Sequence, residues 1–144
     1  MYLLYNPVMR KYKEKKFHSK VVHSCKYQVV WCTQNQRDIL KGDVVLRLRE
    51  LIEKSMEAED VEGEIINLEI FPSYVDLIVS INPQFGIDKL VRHLKRKTSG
   101  PLREEFTSIK GRVSSTWTLS YYVNTLDSSA SEAIKEYLES QQPK

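Results

Sequence analysis

Two alternating stretches joined by a Pro-Ser step constrain this chain more than any other feature. In Ile65-Ile66-Asn67-Leu68-Glu69-Ile70-Phe71, the residues Ile66, Leu68 and Ile70 fall on one side and Asn67 and Glu69 on the other. In the stretch from Tyr74 to Ile81, the residues Val75, Leu77, Val79 and Ile81 share one side, and Tyr74, Asp76, Ile78 and Ser80 share the other. Each reads as a strand with one face for the core and one free to present chemistry. Pro72-Ser73 reads as the turn between them. A loop of only those two residues sets Phe71 opposite Tyr74 and Glu69 opposite Asp76, two carboxylates roughly 5 Å apart at Cβ. They repel unless something cationic lies between them. A slightly longer turn breaks this register and leaves a polar outer sheet face.

At 144 residues the chain is sized for one domain with a sizeable core. Residues 1–17 are basic and aromatic without a clean period and read as an arm, which leaves 18–144 as the domain. The absence of a long apolar run, and of a charged and apolar leader at Met1 to Pro7, sets the expectation of a cytoplasmic protein without a membrane span. Cys25 and Cys32 are seven apart on one predicted strand, so they point to opposite faces and read as packing residues.

The net charge of +3 hides a strong asymmetry. Residues 10–20 hold six basic side chains and one acid, and residues 89–103 hold six more with none; elsewhere ten basic face eighteen acidic residues. A polyanion such as nucleic acid therefore has two footholds, although such runs also serve as plain solvated faces.

Around the hairpin, the pattern predicts a first strand within 19–33. A helix from about Asp43, with Asp43 as its cap, then runs to Ala58 with Val44 or Val45, Leu48, Leu51, Ile52 and Met56 inward. A second helix begins near Ile87 with Leu90, Val91 and Leu94 inward, carries Lys89, Arg92, His93 and Arg96 as a cationic row, and ends at Thr98-Ser99-Gly100-Pro101, after which Leu102 to Phe106 can add another turn or two. Residues 107–118 read as a loop, Leu119 to Thr125 as a last strand, and Ser129 with Glu132 as a capping box opening a final helix. Tyr137 and Gln141 share a face of that helix.

Tyr27-Gln28-Val29-Val30-Trp31, Phe71-Pro72-Ser73-Tyr74-Val75-Asp76-Leu77, Pro83-Gln84-Phe85-Gly86-Ile87, Leu102-Arg103-Glu104-Glu105-Phe106, Trp117 ahead of Tyr121-Tyr122-Val123, and Tyr137 with Gln141 together carry a resemblance. Running from about His18 to Gln141, the chain resembles the single-tyrosine transposases of the insertion-sequence 200/605 type, within the HUH nuclease group. The resemblance implies an α+β, ferredoxin-like antiparallel sheet with helices on one face. It implies a homodimer in which the tyrosine helix of one subunit acts in trans. It also implies cleavage and rejoining of single-stranded, hairpin-flanked DNA through a 5′-phosphotyrosine, with Tyr137 as the nucleophile.

In such sites a divalent metal is held by two strand histidines and the helix glutamine. Here Tyr74-Val75-Asp76 stands where the family has His-hydrophobic-His. The expected ligands of Mg²⁺ or Mn²⁺ are then Asp76 and Gln141, with Glu69 and Tyr74 as further candidates. Asp127-Ser128 replaces hinge glycines, and Gly100-Pro101 replaces a basic stretch. Lys89, Arg92, Arg96 and Lys97 are the expected DNA contacts, with Trp117 as a stacking platform. A catalytically silent single-strand or hairpin DNA-binding protein of the same fold, and an RNA-binding module, are the competing readings.

Overall fold

A computed structural model describes residues 25–126 and 130–143. The arm, His18, His23, the 127–129 hinge and the Ser129 cap lie outside the described residues. Four strands form one sheet: β1 (Lys26–Cys32), β2 (Gly63–Phe71), β3 (Tyr74–Ile81) and β4 (Tyr122–Thr125), in the order β2-β3-β1-β4. Every neighbouring pair is antiparallel. Between the strands lie α1 (Asp43–Met56), α2 (Ile87–Glu105) and a short α3 (Thr107–Arg112), and α4 (Ala130–Ser140) follows β4. This is the ferredoxin-like arrangement.

The β2–β3 hairpin has the tight two-residue turn, with Phe71 paired to Tyr74, Ile70 to Val75 and Glu69 to Asp76. One detail departs from simple alternation. A bulge falls between Ile65 and Asn67, so Ile65, opposite Val79, is buried and Ile66 is the extra, half-exposed residue. A bulge resets the side-chain phase, and Ile66 is therefore not the core residue that strict alternation predicts.

The core lies between the helical layer and one sheet face. Val44, Leu48, Leu51, Ile52 and Met56 of α1 and Leu90, Val91 and Leu94 of α2 pack against Val29, Trp31, Val75, Leu77 and Val79. Full burial of one such aliphatic side chain contributes roughly 1.5–3 kcal/mol. The cap of α1 is Gly42 at φ 61°, with no side-chain cap bond, so Asp43 is the first helical residue and favours the helix dipole from there. Helix α2 does not stop at Gly100-Pro101. It runs on to Glu105 because Leu102 is fully buried, Arg103 donates to the Val113 carbonyl at 2.7 Å, and Glu105 pairs with Arg47 at 2.9 Å. Tertiary anchoring outweighs the helix-breaking tendency of the Gly-Pro step.

The last strand is shorter than predicted. Lys95 Nζ binds the carbonyls of Thr118 and Ser120 at 2.5 and 3.2 Å, which removes those groups from a ladder, and Leu119 is fully exposed. Both cysteines are free, with Cys32 buried. Among the described residues, no helix is long and apolar enough to cross a membrane.

Candidate active site

Side chains on the sheet face opposite α1 and α2 form a row across all four strands. Glu69 of β2 pairs with Asp76 of β3. Asp76 lies opposite Val30 of β1, and Gln28, two residues along the same face, reaches it diagonally. Gln28 in turn pairs with Asn124 of β4. The amide nitrogen of Gln28 donates to both oxygens of Asp76, at 3.0 and 3.1 Å. The strand alternation puts these residues here: the same pleat that sends Val29, Trp31, Val75 and Leu77 inward sends Gln28 and Asp76 outward.

The row is rich in acceptors and poor in donors. Burial raises the Asp76 carboxyl above its ordinary range, the Gln28 bonds pull it back, and the Glu69 charge pushes it up again. Asn67 makes a long bond to Glu69 at 3.4 Å, and Asn124 gives its amide hydrogens to Tyr122 at 3.2 Å. That leaves Asn124 Oδ1 buried with no partner. Glu69 and Asp76, on adjacent strands, offer carboxylate oxygens of the kind that Mg²⁺ and Mn²⁺ take, whereas Asn124 stands on β4 with β1 between it and Asp76. No three His, Cys, Asp or Glu side chains converge among the described residues, so amide oxygens and water would have to complete such a sphere.

Tyr74 is turned to another use. Its ring stacks on Phe71, with centroids 4.5 Å apart and planes 15° apart, and burial, then Asp76, Glu69 and Cys32, push its phenol upward. It stays neutral, and a neutral phenol is a poor metal ligand.

Tyr137 and Gln141 meet at Ser120. Ser120 Oγ lies 2.9 Å from the Tyr137 hydroxyl and 3.0 Å from Gln141 Oε1. An amide oxygen only accepts, so the single Ser120 hydrogen goes to Gln141, and Tyr137 must donate to Ser120. Burial raises the Tyr137 phenol, Ser120 and Thr118 favour its ionised form, and Cys32 opposes it. Gln36 Nε2 donates to the Leu138 carbonyl at 3.1 Å, and the Tyr137 ring lies 5.9 Å from that of Tyr122. The tyrosine helix is therefore docked on its own chain. Among the described residues no hydrogen bond joins Gln141 to Asp76 or Glu69. Two clusters result: Tyr137-Ser120-Gln141 and Glu69-Asp76-Gln28-Asn124, connected through Tyr122.

The expected DNA contacts divide. Lys89, Arg92, Arg96 and Lys97 are exposed on α2, on the opposite side of the sheet from Asp76. Lys89 Nζ sits 4.5 Å over the Phe85 ring, and Arg92 pairs with Asp88 at 3.0 Å in an exposed bond that holds it weakly. Trp117 has to be corrected. It is 5% exposed, donates from Nε1 to Thr98 Oγ1 at 3.0 Å and packs edge-on against Trp31 at 6.0 Å, so it is a core residue with no face free for a base. His93 likewise contacts the Ser55 carbonyl at 3.0 Å between the helices instead of facing outward. Sequence reasoning missed Gln28, Asn124 and Ser120. For Gln28 the signal was its place on the polar phase of β1; for Ser120 there was none.

The fold and the polar sheet face with a docked tyrosine helix define a transposase-type domain. Residues 21–141 match the family described as Transposase IS200 like, and the chain belongs to that family. It is 26% identical over 125 residues to the ISDra2 transposase TnpA of Deinococcus radiodurans, covering 85% of this chain and 88% of that one. A crystal structure of a putative transposase from Deinococcus radiodurans superposes with a TM-score of 0.79 at 24% identity, over 88% of this chain and 97% of the other. A REP-associated tyrosine transposase bound to a REP hairpin shares the fold more distantly, with a TM-score of 0.52 at 13% identity over 81% and 65% of the two chains.

Proposed function

We propose that this protein cleaves and rejoins single-stranded DNA flanked by hairpins, with Tyr137 as the nucleophile. The observation that supports this best is the Tyr137-Ser120-Gln141 unit, in which the phenol hydrogen points at a hydroxyl that itself hydrogen-bonds to an amide oxygen. The phenol gives up its proton as its oxygen attacks the scissile phosphorus, the bond to the 3′-oxygen breaks, and that oxygen takes up a proton, so the products are a 5′-phosphotyrosine and a 3′-hydroxyl with no net change in protons. Attack by another 3′-hydroxyl reverses the step and frees the tyrosine. Asp76 and Glu69 are the residues that would hold Mg²⁺ or Mn²⁺, which when bound neutralises charge on the scissile phosphate. Tyr74, stacked on Phe71, walls that side of the site.

The cations of α2 grip phosphates on the helical side of the sheet, so a folded hairpin held there sends its single strand around the sheet to Tyr137. The fold neighbour bound to a hairpin supports hairpin DNA as the partner. A homodimer belongs to the same proposal, in which the tyrosine helix, docked here on its own chain, passes to the equivalent position on the partner. Mixing Tyr137→Phe with Asp76→Ala subunits then restores activity that neither variant has alone.

The decisive assay incubates the protein with hairpin-flanked single-stranded DNA and Mg²⁺ or Mn²⁺. A covalent protein–DNA adduct that vanishes in Tyr137→Phe is the expected result. Retained binding without an adduct under any metal assigns the chain to DNA binding without chemistry, and the stacked, non-ligating Tyr74 is the feature that favours that second reading.

A further inference from the structure

On the reading of Tyr137 as the nucleophile, we propose that Lys95 is its positioning residue: the Lys95 ammonium clamps the carbonyls of Thr118 and Ser120 and so sets the two hydroxyls that meet the phenol.

The clamp sits at a break in the sheet. Val30 of β1 pairs with Tyr122 of β4, and the isolated bridge beyond that pair joins Thr33 to Trp117. Three steps along β1 therefore face five along the other chain, so two extra residues loop out between Trp117 and Tyr122. Leu119 is fully exposed on that loop. Looping out takes main-chain carbonyls off the ladder, and each then needs another donor. Lys95 supplies it from α2, with Nζ donating to the Thr118 carbonyl at 2.5 Å and to the Ser120 carbonyl at 3.2 Å.

What the loop carries ties the clamp to the chemistry. Ser120 Oγ lies 2.9 Å from the Tyr137 hydroxyl, and the side chains of Ser120 and Thr118 are the two that favour the ionised phenol. The Thr118 hydroxyl also donates to the Ser120 carbonyl at 3.3 Å, which joins the two residues to each other. The residues whose carbonyls Lys95 holds are thus the residues whose hydroxyls serve Tyr137. This cradle is the same whichever subunit supplies the tyrosine helix.

Lys95 also differs from its neighbours on α2. Lys89, Arg92, Arg96 and Lys97 are exposed, whereas Lys95 is half-buried, and burial pushes its ammonium down. Among the described residues no carboxylate forms an ion pair with it. A cation so placed, with two of its three hydrogens given to carbonyls, anchors the main chain instead of gripping DNA. A compact ammonium on a flexible four-carbon stem suits the reach from the helical layer into the gap.

The test uses the full-length protein, hairpin-flanked single-stranded DNA and Mg²⁺ or Mn²⁺. Adduct formation is followed in single turnover at saturating DNA, and DNA affinity by fluorescence anisotropy across salt concentrations. Lys95→Met keeps an unbranched stem and removes the donors. It slows adduct formation about tenfold or more, because small displacements at the nucleophile are costly, and leaves affinity and salt slope as in wild type. Lys95→Arg, which can again donate to two carbonyls, restores most of the rate. In a Thr118→Val/Ser120→Ala background, Lys95→Met changes the rate by less than about twofold, since the hydroxyls it places are gone. An undiminished loss in that background, or a wild-type rate in Lys95→Met alone, overturns the role of Lys95 and leaves Tyr137 as the nucleophile. Weakened binding and a smaller salt slope with the saturated rate intact overturn it too, and make Lys95 a phosphate contact. A wild type that forms no adduct overturns the reading of Tyr137 itself. Should Lys95→Met fail to fold, the same comparison with Lys95→Gln decides.

Discussion

Replacing Glu69 by Gln tests the electrostatics of the sheet face most directly, because it removes one charge and leaves both Gln28–Asp76 bonds in place. Cross-strand partners carry their Cβ atoms about 5 Å apart. Two unit charges about 6 Å apart interact by about 3 kcal/mol at an effective dielectric of about 20 and by about 0.7 kcal/mol in water. Glu69 is half-exposed, and its charge ranks behind burial and the Gln28 bond among the influences on Asp76, so the lower part of that range applies. Glu69→Gln therefore stabilises the metal-free protein by about 1 kcal/mol, or about 3 °C in Tm for a chain of this length.

The sign depends on pH. The folded Asp76 carboxyl is raised above its ordinary 3.8, so its ionisation penalises the folded state: the penalty is absent below that ordinary value and grows as pH rises through the folded one. The Tm gap between variant and wild type is accordingly near zero at about pH 3 and fully open at about pH 7. Saturating Mg²⁺ or Mn²⁺ closes it from the wild-type side. Thermal melts by circular dichroism at several pH values measure this. A variant less stable than wild type at neutral pH, or a gap independent of pH, refutes the reasoning.

Ser120→Ala removes the acceptor of the Tyr137 proton and the hydroxyl that favours the phenolate, so the Tyr137 phenol rises further and adduct formation slows about tenfold or more; ultraviolet titration against Tyr137→Phe and single-turnover cleavage check the two effects. Trp117→Ala destabilises the fold by roughly 3–5 kcal/mol in chemical denaturation, and the protein that remains folded binds DNA as wild type does. Losing the same residue as a stacking platform would instead weaken DNA binding with little change in stability. Lys89→Ala and Arg96→Ala each weaken DNA binding about equally for any sequence and lower the salt slope by about one, as fluorescence anisotropy across salt concentrations will show, whereas cleavage of saturated substrate is unaffected.

How far the sequence revealed this molecule depends on whether the deciding interaction was local. The hairpin register was legible because a two-residue turn fixes it, and so the Glu69–Asp76 pairing followed from counting. The buried stripe of α1 was legible from its period. The bulge at Ile66 was not, since Ile65 and Ile66 are equally apolar and only the partner strand decides which turns inward. Trp117 misled because an aromatic residue in a basic, polar stretch suits a nucleic-acid surface; that it is buried depends on Thr98 and Trp31, 19 and 86 positions away. Gln28 could not be assigned to Asp76 from the sequence, because their bond requires β1 to lie beside β3 across 48 positions.

The topology that creates this bond also separates grip from chemistry. In a β2-β3-β1-β4 sheet with α1 and α2 on one side, the basic row Lys89-Arg92-Arg96 lies on the side away from Asp76. Lys95 is the α2 cation that reaches the tyrosine side, where its Nζ binds the Ser120 carbonyl; the sheet face carries Glu69 and Asp76 and, among the described residues, no cation hydrogen-bonded to Asp76. A bare face of that kind repels DNA. If a divalent cation meets the charge of the row, as proposed, DNA bound through α2 contacts the tyrosine side more strongly in the presence of Mg²⁺ or Mn²⁺ than in its absence. Photocrosslinking from the scissile position distinguishes the two states. Equal crosslinking to α4 with and without the metal would show that the acidic row does not control access.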